Sequence, residues 1–126
     1  MMTTERFDTV LSTLPRVRQA LNESHDHAHR CVDDQLLAMC QDRIAELLGA
    51  SSSGATHSLA ETAFGQAAIA FVEQWVIDVA NMTDDMVAAL VTEMGEDALL
   101  DFVHGVLVVE QRIRLDLAWQ QLGIGA

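Results

Sequence analysis

The stretch R-I-A-E-L-L-G-A-S-S-S-G-A-T-H, Arg43–His57, decides how this chain is read. Its first half closes a helix. Leu36, Leu37, Cys40, Ile44 and Leu47 recur at helical spacing and form one apolar stripe. Asp33 or Asp34 supplies the N-cap, and Gly49 stands where a left-handed residue ends a helix. The connection Ala50–Thr56 holds too many small polar residues, and a glycine, to continue that helix. It delivers His57 directly to Ser58-Leu-Ala-Glu61. That pattern is a capping box, in which the serine accepts from the N3 amide and the glutamate reaches back. The reading is a helix, a turn carrying one histidine, and another helix.

The remaining segments read as helix too. Thr13 before Pro15 marks a start, since proline's fixed φ suits the first turn and its missing N–H is not needed there. Pro15–Glu23 carries Val17 and Leu21 four residues apart. After the capping box, Phe64, Ala67, Ala68, Phe71 and Trp75 share one side, with Gln66, Glu73, Gln74, Asp78 and Asn81 largely opposite. Thr83 with Asp84 and Asp85 marks another N-terminus, favoured by the helix dipole. Met86, Val87, Leu90, Val91 and Met94 form its apolar face, and Gly95 stops it. The last helix, about Asp97 to Gln121, is apolar nearly all round from Leu99 to Val109. A helix without a polar face is buried on all sides, which a small bundle achieves with a partner subunit. The expectation is an all-α single domain of five to six helices over residues 1–126, with residues 1–32 forming N-terminal helices and a linker.

Composition narrows the function classes. The chain has 126 residues, half of them apolar, and a formal charge of −12, with no lysine. Such a charge opposes a phosphate backbone and anionic lipid, so neither nucleic acid nor membrane is an expected partner. Cys31 and Cys40 are too few for a secreted disulfide framework, and Cys40 falls on the apolar stripe as a small hydrophobe. MMTTERFDTVL shows no charged start followed by an apolar block, and Leu99–Val109 is too short to span a bilayer. The chain reads as a cytoplasmic protein.

Arg43–His57 resembles the active-site segment of the carboxymuconolactone decarboxylase / alkylhydroperoxidase D-like family, whose redox members read roughly R-V-A-x-x-x-G-C-x-x-C-x-x-x-H there. The resemblance extends through A-A-I-A-F-V-E-Q-W-V-I-D-V (Ala67–Val79), M-T-D-D-M-V-A-A-L, V-V-E-Q-R-I-R-L and a terminal L-G-I, covering about Asp33 to Ile124. It implies an all-helical bundle assembling as a trimer or hexamer. In the redox members a helix N-terminus activates a Cys pair, served by a glutamate and a histidine as proton relay. Here the glutamate position holds Ala38, the cysteine positions hold Ala50 and Ser53, and only His57 remains. Serine forms no disulfide and is barely ionised near neutral pH. The resemblance therefore implies a member without thiol-dependent peroxidase or disulfide-reductase activity and without a cofactor, a small-molecule-binding or structural homo-oligomer (trimer, hexamer or dimer).

Two alternatives stand beside it. The family's decarboxylases and isomerases need acid–base groups rather than thiols, and His57 with Ser53 fits that chemistry, with Glu61 and His104 as candidate pocket residues. A Ser–His pair, however, needs a third group to orient the base. The second alternative is a metal module in H-D-H-A-H-R-C, His25–Cys31, whose ligand types suit zinc or another transition metal. Extended, His25, His27, His29 and Cys31 share one face; helical, only His25 and His29 pair. Short histidine-rich tracts are also common as polar linkers between helices, the plainer reading here.

Overall fold

The computed structural model describes residues 4–124, so the first three residues of the N-terminal stretch and the last two of the chain lie outside it. Six α-helices and no strand occur among the described residues: α1 (Thr4–Val10), α2 (Pro15–Cys31), α3 (Asp34–Leu48), α4 (Ala63–Asp78), α5 (Asp84–Met94) and α6 (Glu96–Gln121). None of these helices is long and apolar enough to cross a membrane. The all-α expectation holds, and the caps explain why the helices begin where they do. Asp33 accepts from the Leu36 amide at 3.0 Å, and Thr83 accepts from the Met86 amide at 3.2 Å. Gly49, at φ +78°, closes α3 in the left-handed conformation that other residues resist.

Two boundaries differ from the sequence reading. The capping box at Ser58 does not start a helix: Ser58–Glu61 is one short 3₁₀ turn, and Thr62 caps α4 by accepting from the Gly65 amide at 2.9 Å. The cause is packing. The turn lies so close to α4 that a Cβ on Gly65 would sit 1.8 Å from the Leu59 carbonyl oxygen. The second difference is the histidine tract, which is no linker; α2 runs unbroken from Pro15 to Cys31. No glycine or proline interrupts residues 16–48, and Ala28 and Val32 anchor the helix in the interior.

The core lies between α3, α4 and α6. Leu37, Cys40, Ile44, Ala68, Val72, Phe102 and Val106 are all essentially buried there. Phe71 links the layers, with ring centroids 5.7 Å from Phe102 and 6.1 Å from Trp75. Helix α2 packs along α6 where Gly105 removes a side chain: a Cβ there would stand 3.0 Å from Val32 Cγ2. Helix α1 is held by Phe7, fully buried, edge-on to Trp119 at 4.9 Å. The charged residues Glu110, Arg112 and Arg114 of α6 are split by burial. Glu110 and Arg114 form the i, i+4 pair, with Oε2 and Nη2 at 3.4 Å, while Arg112 is only 2% exposed, its guanidinium 4.0 Å over the Phe7 ring. Arg112 therefore pairs with an aromatic ring inside its own chain, and it donates to the Leu21 carbonyl at 3.4 Å.

Candidate functional site

Where the turn after Gly49 folds back over α3, two side chains and a backbone amide converge on one carboxylate. Ser53 donates from its amide to Asp42 Oδ1 at 2.9 Å and from Oγ to Asp42 Oδ2 at 2.6 Å. His57 Nε2 stands 2.6 Å from the same Oδ2. The Ala55 amide donates to Ser53 Oγ at 3.2 Å, which fixes the hydroxyl as a turn element. The side chains of Asp42 and His57 are 14% and 20% exposed, so the pair sits at the rim of the fold rather than in its core.

The hydrogen-bond roles follow from charge. Burial by itself pushes the Asp42 carboxyl up, but the Ser53 hydroxyl and amide and the His57 ring outweigh it and hold it below the ordinary carboxylate range. An ionised carboxylate only accepts, so both Ser53 Oγ and His57 Nε2 donate to it. Nε2 therefore carries a proton and turns it toward the carboxylate. This is not a serine-nucleophile arrangement, because the hydroxyl proton points to the carboxylate and not to a base. Ser53 positions Asp42, and Asp42 in turn orients His57.

Two cavities border the cluster. One, about 140 Å³, is lined by Asp42, Ala50 and Ser53 on one side and by Ile113, Asp116 and Gln120 of α6 on the other. Asp116 is nearly buried and held by Arg6 Nε at 3.1 Å and Gln120 Nε2 at 2.8 Å. The second, about 310 Å³, is lined by His57, Asp34, Gln35, Ala38 and Leu59. Beyond the cluster, Arg43 ties α3 to α4, its Nη2 2.6 Å from Glu73 Oε2, with Glu46 at 3.0 Å. The Glu73 hydrogen bond raises the Arg43 guanidinium above its usual value.

Of the residues named from sequence, His57 and Ser53 meet. Glu61 lies exposed in the 3₁₀ turn, and among the described residues no hydrogen bond or ion pair joins it to His57. His104 is half-buried in α6, and its ring neighbour is His27, at 5.3 Å between centroids. The three tract histidines separate because α2 is helical: the His25 and His29 rings meet at a tilt, with centroids 4.3 Å apart, while His27 turns to Cys31, with Nε2 3.6 Å from Sγ. Cys40 is fully buried, and burial pushes its thiol up to about 12, which keeps it out of thiolate chemistry. Asp42, the hub, was not anticipated. Its one signal is an aspartate in mid-helix, a residue type that favours caps and turns and so invites a search for its partner. Comparisons of this chain with protein-family models, with curated proteins and with solved structures find no match.

Proposed function

We propose that this chain binds a small polar molecule beside Asp42–His57 and moves a proton on it, as a lyase or isomerase of the carboxymuconolactone decarboxylase-like kind without the redox cysteines. The observation that carries the proposal is Asp42 Oδ2 at 2.6 Å from both His57 Nε2 and Ser53 Oγ. A carboxylate that orients an imidazole and stabilises its protonated form is the third group an acid–base histidine requires. His57 Nδ1 takes the proton from a carbon or oxygen of the ligand, and Asp42 offsets the positive charge left on the ring. The cavities support a ligand of few heavy atoms, since neither reaches far above 300 Å³. Ala38 and His57 border one cavity, and Ala50 and Ser53 border the other, so the cluster lies between the two.

The test is proton exchange on a panel of small lactones and oxo acids in D₂O, followed by NMR. Wild-type chain is expected to catalyse exchange on at least one compound, with His57→Ala abolishing it and Asp42→Asn reducing it. No exchange with any compound, and no shift of His57 resonances on adding them, would sink the proposal. A second reading, an assembling scaffold, is supported by Leu100 and Leu107. These lie two turns apart on α6 and are 70% and 48% exposed.

A further inference from the structure

The α2–α6 contact brings together ligand-bearing side chains that the Asp42–His57 site does not use. His27 and Cys31 lie one helical turn apart on α2, both exposed, and Asp101 of α6, half-buried, meets them. Their ligand atoms all fall within 4.8 Å of one another. Two of the three already have the right spacing. In a tetrahedral zinc site with ordinary Zn–S and Zn–N bonds, sulfur and nitrogen stand about 3.5 Å apart. Cys31 Sγ and His27 Nε2 are 3.6 Å apart.

A thiol–imidazole hydrogen bond within one helix explains that distance on its own. It does not explain Asp101. This carboxylate comes from another helix, and among the described residues no hydrogen bond or ion pair accounts for it. Carboxylate, thiol and imidazole converge in a chain whose formal charge is already −12. A cation would give all three a common partner. His104, one turn along α6 from Asp101, packs edge-on to His27, and its Nε2 is buried with no hydrogen-bond partner. The small side of α6 at Gly105 is what lets α2 approach closely enough for the two helices to share the cluster.

We propose that His27, Cys31 and Asp101 form a divalent transition-metal site, with zinc the best match. One thiolate, one imidazole and one carboxylate are borderline-soft donors that suit Zn²⁺. Thiolate and carboxylate together neutralise the ion, and three protein ligands leave a fourth position for water. The metal clamps the C-terminal turn of α2 to α6, so binding stabilises the fold.

Zinc chloride and cobalt chloride are titrated into the full chain under reducing conditions. The expected results are one ion per chain, a raised melting temperature and, with cobalt, a thiolate-to-metal charge-transfer band. Cys31→Ser removes the band, and Asp101→Asn weakens zinc binding by about tenfold or more, the least that even an outer-shell loss costs. His29→Gln leaves both unchanged. All three substituted side chains lie at the surface or half-buried, so circular dichroism is expected to report intact helices. The proposal fails if no stoichiometric binding is found. It also fails if Asp101→Asn binds as wild type does, or if His29→Gln abolishes binding.

Discussion

Asp42 is the hub of the cluster formed where the turn after Gly49 folds back over α3. It accepts three hydrogen bonds, two of them from Ser53 and one from His57. Because those bonds hold its folded-state carboxyl below the unfolded value of 3.8, the sign of its linkage is fixed. Its contribution is complete above that unfolded value and disappears as pH falls through the lower folded one. Asp42→Ala is therefore expected to cost about 1.5–3 kcal/mol at neutral pH, the usual worth of hydrogen bonds to a charged group. The gap from wild type narrows as the medium is acidified below the folded-state value, which urea unfolding at a series of pH values measures. His57 and Ser53 were legible in sequence because a local pattern points to them. Asp42 was not, since its partners lie eleven and fifteen residues away across a turn whose path no local preference dictates. His25 shows the same limit. Burial, then Arg112 and His29, push its imidazole down to about 4, with only Asp26 opposing. None of that could be read from a tract that looks solvent-facing.

At the scale of elements, helix stripes and caps were the dependable part. Asp33, Gly49, Thr83 and Gly95 each stop or start a helix for the local reason their residue type suggests. The S-x-x-E pattern misled because a competing interaction won: the 3₁₀ turn packs against Gly65, and Thr62 takes over as cap. Gly65→Ala tests this directly. Its methyl would meet the Leu59 backbone rather than a flexible side chain, so the cost is expected at about 3 kcal/mol or more, at the upper end for overpacking. A variant with wild-type urea midpoint would show that the turn can move away freely. Helix α2 taught the converse. Its histidines are indifferent helix formers, yet the helix runs through them to buried Ala28 and to Val32, which packs on Gly105 of α6.

Across the whole molecule, the long helix α6 organises everything else. It presents Phe102, Val106 and Val109 to the core, Arg112 to Phe7 of α1, Asp116 to the cavity beside Asp42 and Asp101 to α2. Arg112 is unusual in being buried with no carboxylate bonded to it among the described residues. Phe7 and the Leu21 carbonyl satisfy part of it, and desolvation lowers its guanidinium. The helix remains uncovered at Leu100 and Leu107. If a second copy covers them, as we propose, light scattering gives a multimer for wild type and a monomer for Leu100→Asp combined with Leu107→Asp. A wild-type chain that is monomeric at every concentration would dismiss self-association. The sequence by itself determined the helical class, most helix ends and the presence of a histidine in a small-residue turn, because caps and periodicity act within one or two turns of chain. Only the tertiary structure decided which carboxylate that histidine meets, that Arg112 turns inward, and that Asp101 joins His27 and Cys31. Each of those depends on how helices distant in sequence pack, and close approach at positions such as Gly65 and Gly105 is set by the whole core at once.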